Sequence, residues 1–271
     1  MTSLLLVSLA LADDVFVDPA EPVEEPFEKP EGELAAELGG AWSAGNTDTR
    51  TLTTSYAAAY RFHRNQISSK GGLILGSAKL DGDGDGTLSD EEREAARIET
   101  ARKAQALLRY DRFMTERGSL YSLAGAYTDP YAGYDSRYNG QWGYSYLVFL
   151  SKDKEEQAIT LVRAELGFDL AREDYAEGVE PEIDWKPSAR VGLTVQQRIT
   201  GGLVLVDDLE VFVNVQDPKD TRLVNAMGLS NQLTKQMSVK LSYKLSYDTD
   251  PVEGYVKADH VGLVTLVATV F

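Results

Sequence analysis

Between Ser238 and Tyr247 every second residue is apolar: Val239, Leu241, Tyr243, Leu245 and Tyr247 alternate with Ser238, Lys240, Ser242, Lys244 and Ser246. A period of two gives a β-strand two unlike faces. The zigzag recurs along the chain from Leu34. Leu52, Thr54, Tyr56, Ala58, Tyr60 and Phe62 oppose Thr53, Ser55, Ala57, Ala59 and Arg61. Tyr138, Trp142, Tyr144, Tyr146, Val148 and Leu150 oppose Arg137, Asn139, Gln141 and Ser145. Val162, Ala164, Leu166, Phe168 and Leu170 oppose Arg163, Glu165 and Asp169. About twelve strands are predicted, an even number, as single-chain bacterial barrels have. The links after odd strands are long (81–102, 128–136, 171–187, 216–221, 248–257), and those after even strands are short (63–66, 114–118, 151–156, 200–202, 234–236).

This pattern predicts an all-β fold: an antiparallel transmembrane β-barrel over 34–271, closed by a last strand ending at Phe271. Its apolar face would meet lipid and its polar face a wet lumen. Trp42, Trp142, Tyr138 and Tyr247 are expected near the long-loop ends, as an interfacial girdle. The alternative is a soluble sandwich, in which the same apolar face would be buried between two sheets. No run of eighteen apolar residues exists, so helical membrane spans are excluded.

The net charge of −16 is unevenly placed. Residues 13–33 hold nine acids and one lysine, residues 81–102 eight acids and three arginines, and the remainder is close to balance. The first stretch, rich in Pro and Glu, reads as a disordered acidic linker. Residues 1–12, MTSLLLVSLALA, read as a short secretory signal peptide without the usual basic start. With no basic footprint, nucleic acid is not an expected partner. The absence of cysteine removes disulfides and thiolate metal sites.

The acidic insertion has a pattern of its own. Asp81, Asp83 and Asp85 stand at positions 1, 3 and 5 of a twelve-residue EF-hand loop, with Gly86 at the sharp turn. Thr87 would offer its carbonyl, Ser89 a water-mediated contact and Glu92 a closing bidentate carboxylate. Ca²⁺ takes six to eight hard oxygens, and this spacing wraps them around one point. Leu88 would be the apolar anchor, and Ser89 with Glu92 a capping box for a helix from about Asp90 to Arg102. The entry helix of a helix–loop–helix is missing, because Gly71–Lys79 reads as strand.

Catalysis is not expected. His63 and His260 are the two histidines, and neither sits in a nucleophile elbow or phosphate-binding loop. The charges predicted to point inward (Glu37, Arg61, Arg109, Asp111, Arg163, Glu165, Asp169, Arg190, Arg198, Asp208, Glu210, Lys240 and Lys244) mix both signs. That mixture suggests cross-lumen salt bridges and a plugged or narrow interior. A structural envelope protein, a small-solute pore and a surface module using the calcium loop all stay open, and the protein partner is undetermined.

Four segments carry a resemblance: Ser43-Ala-Gly-Asn-Thr-Asp-Thr49, Gly133-Tyr-Asp-Ser-Arg-Tyr-Asn-Gly140, Leu209-Glu-Val-Phe-Val-Asn214 and Leu241-Ser-Tyr-Lys-Leu-Ser-Tyr-Asp-Thr-Asp-Pro251. In this order they resemble a bacterial domain-of-unknown-function family described as salt-induced outer-membrane proteins. The resemblance implies a β-barrel in the bacterial outer membrane, with the lipid bilayer as partner and no assigned reaction. The 81–102 insertion departs from the family pattern.

Overall fold

The computed structural model describes residues 27–43, 48–79, 88–153, 158–175, 183–200, 202–234, 236–251 and 256–269. Twelve strands follow one another: β1 (Phe27–Ser43), β2 (Thr49–His63), β3 (Asn65–Ala78), β4 (Ile98–Phe113), β5 (Gly118–Asp129), β6 (Tyr134–Lys152), β7 (Ala158–Tyr175), β8 (Ile183–Thr200), β9 (Leu203–Asn214), β10 (Thr221–Gln232), β11 (Met237–Asp248) and β12 (Ala258–Thr269). Each pairs antiparallel with the next, and β1 closes the ring on β12 through Ala35–Thr269 to Leu38–Leu266. Closure removes the two sheet edges that an open sheet would present, although the β1–β12 seam is short, with four residue pairs.

The side chains are inside out relative to a soluble protein. On β11, Lys240 is 2% exposed and Lys244 3%, while Leu241 on the opposite face is 54% exposed. The alternation read from the sequence is therefore the alternation of the wall. The sandwich alternative, which required those Leu, Val and Tyr side chains to be buried, is excluded. Outward aromatics gather at two levels. Trp42, Tyr138, Trp185 and Tyr247 lie toward the long-loop end; Tyr60, Tyr110, Tyr144, Tyr146 and Phe149 lie toward the short-turn end. Trp142 departs from its expected place: it sits mid-strand opposite Phe168, the rings 5.2 Å apart.

The largest differences from the sequence reading lengthen strands. β1 begins at Phe27 rather than Leu34, so 27–33 is wall and not linker. The end of β2 supplies the reason, since Glu31–Glu33 pair with Arg61–Ala59 and Arg61 lies 3.5 Å from Glu33. The expected loop 171–187 shrinks, because β7 runs to Tyr175 and β8 starts at Ile183. After the insertion, helix α1 covers Asp90–Glu94 and does not reach Arg102. The alanine- and glutamate-rich residues that follow favour helix, yet they become β4, pairing Ile98 with Ala78 and Ala101 with Gly76. A helix there would leave one edge of the end of β3 unpaired, the other being held by β2, and ladder completion outweighs local propensity. The signal peptide of 1–12 and the linker up to residue 26 lie outside the described residues.

Candidate functional site

The lumen concentrates the chemistry. One register row crosses seven consecutive strands: Asp111, Tyr121, Gly143, Gly167, Arg190, Phe212 and Arg222 stand opposite one another from β4 to β10. The two glycines make a notch in the middle of this row. A Cβ on Gly167 would fall 2.4 Å from the Tyr121 hydroxyl, and one on Gly143 2.8 Å from it. Tyr121 reaches over the notch from one side and Arg190 from the other, and Arg190 Nη1 donates to the phenol oxygen at 2.6 Å.

Around this meeting point lies a paired network. Arg109 donates to both oxygens of Asp111 at 2.8 Å and to Glu165 Oε1 at 2.8 Å. Glu165 also accepts from Arg190 Nη1 at 2.9 Å, so one carboxylate holds two guanidiniums. The other fork of Arg190 is taken by Glu210. Ser119 donates to Asp111, and the Arg109 guanidinium stacks 4.3 Å over the Tyr121 ring. Planar forks matched to carboxylates give the strong, directional form of ion pairing.

A second cluster stands toward the long-loop end. Arg222 lies 3.5 Å from both Asp169 and Glu173, Arg137 lies 3.4 Å from Glu173, and Lys186 lies 3.0 Å from Asp220. An apolar contact accompanies these clusters: Leu107 and Leu123 from β4 and β5 meet Phe212, Val224 and Ala226 from β9 and β10. On the remaining wall the inward residues are mostly small, among them Ser55, Ser238, Ser242 and Thr265, and Lys240 donates to Glu37 at 3.2 Å.

Of the charges expected to face inward, all are buried except Arg198, which sits at the short-turn rim against Asp153. Sequence reasoning missed Tyr121, the glycine notch and the apolar contact. The run Leu120-Tyr-Ser-Leu-Ala-Gly-Ala does not alternate cleanly, so its inward face carried no signal. The histidines stay apart from this network. His63 adopts φ 51° at the β2–β3 turn, and His260 is exposed on the outer face, its Nδ1 2.7 Å from the Tyr243 hydroxyl.

Asp81, Asp83, Asp85 and Thr87 of the calcium pattern lie outside the described residues. Ser89 and Glu92 are described, and they form the expected capping box. The Ser89 amide donates to Glu92 Oε2 at 2.8 Å, and the Glu92 amide donates back to the serine hydroxyl at 3.3 Å. Leu88 is buried, as an anchor of the loop would be. Among the described residues, no group of three or more metal-ligating side chains converges elsewhere. At the same rim Arg97 pairs with Asp48, and this hydrogen bond holds the Asp48 carboxyl below its usual range.

One solved structure supports the architecture. In fold the chain is similar to the NanC porin, at 11% identity and a TM-score of 0.50, over 88% of this chain and 100% of that one. It is also similar to the translocator domain of the autotransporter NalP from Neisseria meningitidis, at 14% identity and a TM-score of 0.42, over 88% and 87% of the two chains. No curated protein matches the sequence. The family described as "Protein of unknown function, DUF481" matches residues 36–270, nearly the whole barrel, and the chain belongs to that family.

Proposed function

We propose that this protein is a structural barrel of the bacterial outer membrane whose lumen is closed at rest by its own paired side chains. One observation carries this reading. The inward charges are buried even though the lumen counts as surface, with Asp169 and Glu173 at 0% exposure. Side chains packed against one another, rather than open solvent, surround these groups in the middle of the barrel. The outward bands of aromatic and aliphatic residues support a bilayer setting. No enzymatic role is proposed.

Purified barrel in planar lipid bilayers is expected to show no stable conductance steps in molar KCl. Long-lived open steps from the unmodified chain would replace this reading with a second one, a small-solute pore. That reading is favoured by the origin of the Glu165 network, whose members Arg109, Asp111, Arg190 and Glu210 are all side chains of wall strands. Their rearrangement would suffice to open it, as a pore sharing the porin's fold would require.

The insertion on the long-loop rim is proposed to bind one Ca²⁺. The carboxylates of Asp81, Asp83, Asp85 and Glu92, the carbonyl of Thr87 and a water on Ser89 would hold it. Bound there, the ion would cross-link the acidic turn. The buried Leu88 and the capped first turn of α1 support this reading. Affinity in the range of extracellular modules, about 10⁻⁴–10⁻³ M, is expected. Calorimetry with millimolar Ca²⁺ should give a heat that Asp81→Ala abolishes; silence from the unmodified chain sinks the assignment.

A further inference from the structure

At the short-turn end a cleft of 540 Å³ opens between the β2–β3 turn and the β4–β5 turn. Arg64 comes from the first turn and Arg117 from the second, and Tyr144 and Tyr146 of β6 form part of the lining. The backbone that carries the two arginines is fixed. Phe113 N donates to the Arg64 carbonyl at 2.9 Å, and Leu147 N donates to the Arg117 carbonyl at 2.7 Å. The guanidiniums themselves are exposed, donate no hydrogen bond to any described residue and form no ion pair with one. Arg112, exposed beside them, spends one donor on the neutral Asn65 side chain, at 2.9 Å. Glu116 is the one acid in the lining.

The aromatic part is equally defined. Tyr144 and Tyr146 lie nearly parallel, with ring centres 6.4 Å apart. The Tyr144 hydroxyl occupies the space that glycine leaves at position 118, where a Cβ would come within 1.9 Å of it. This pair belongs to the aromatic level at the short-turn end, the depth at which amphipathic rings meet lipid headgroups. Unpaired guanidinium forks beside that level match the geometry and charge of a phosphodiester. Basic pockets at such a depth bind acidic headgroups, and each basic residue near the surface adds several-fold to the affinity.

We propose that the cleft between Arg64, Arg117 and the Tyr144–Tyr146 pair is a binding site for the headgroup of an anionic glycerophospholipid. The acyl chains would run along the apolar outer face of β5 and β6. Where short turns face the periplasm, the lipid belongs to the inner leaflet of the outer membrane. The site rests on the bilayer reading of the barrel given above.

The full chain, reconstituted in nanodiscs of mixed phosphatidylglycerol and phosphatidylethanolamine, would be stripped stepwise with detergent and its retained lipids counted by native mass spectrometry. Preferential retention of phosphatidylglycerol is expected. The double variant R64Q/R117Q should lower that retention about thirtyfold while leaving phosphatidylethanolamine and the heat-modifiable gel shift unchanged. Equal retention of the two lipids by the unmodified chain, which needs no variant to fold, overturns the site. Displacement of phosphatidylglycerol by millimolar inorganic phosphate also overturns it, since the cleft would then be a free-anion site. A chain that never enters nanodiscs would instead overturn the bilayer reading, a result separable from both.

Discussion

Two carboxylate–guanidinium pairs in this molecule share their chemistry and differ in their surroundings. Glu165 sits in mid-lumen between Arg109 and Arg190, with side-chain exposures of 1%, 4% and 1%. Asp48 meets Arg97 on the long-loop rim, where both side chains are partly open to water. Desolvation makes the first set conditional on completeness: each charge is tolerable because the others are present. The rim pair gains little, because water would solvate either partner left alone. The same interaction thus packs the lumen in one place and ties the start of β2 to the approach of β4 in the other.

The comparison breaks most clearly at Glu165. Glu165→Ala leaves Arg109 and Arg190 facing each other in a dry space, with Asp111 and Glu210 as their remaining partners. Breaking a buried pair in this way costs about 3–5 kcal/mol. The expected readout is a clear fall in the urea concentration or temperature at which the compact gel band converts to the unfolded one. The same variant should admit water to the lumen and show conductance steps that the unmodified chain lacks. Glu165→Gln, which keeps hydrogen-bonding atoms at that place, should fall between the two. Unchanged stability and silence in Glu165→Ala would mean that the network is not what holds the lumen shut.

Much of this is legible in the sequence, and the reason is the period of two. Once a strand's lipid face is known, its lumen face follows, so Arg109, Glu165, Arg190 and Glu210 could be placed inward one by one. Their pairing could not. Arg109 and Glu165 are separated by 56 positions, and their meeting depends on strand tilt and on the register through β5 and β6. The Gly143–Gly167 notch was hidden for the same reason, since isolated glycines in strands say nothing about what leans over them. Local propensity over-extends helix α1 because it holds no trace of the demand of β3 for a partner. The short-turn cleft is not legible in the sequence because Arg64 and Arg117 belong to different turns, which the β3–β4 pairing brings side by side.

The rim pair offers the smallest effect and the finest test. Because Arg97 depresses the Asp48 acid constant, the carboxylate's contribution is fully present above the unfolded value, about 3.9. It is lost as pH falls through the lower folded value. At neutral pH Arg97→Ala should therefore leave the unfolding transition of the barrel where it was. The change should appear in hydrogen exchange, as faster exchange of the Lys79 amide, which donates to the Asp48 carbonyl at 2.9 Å. In the unmodified chain the same loosening should set in below about pH 4, and Arg97→Ala should abolish that dependence. A shift of the whole transition in Arg97→Ala, as large as that in Glu165→Ala, would show that exposure does not separate the two pairs.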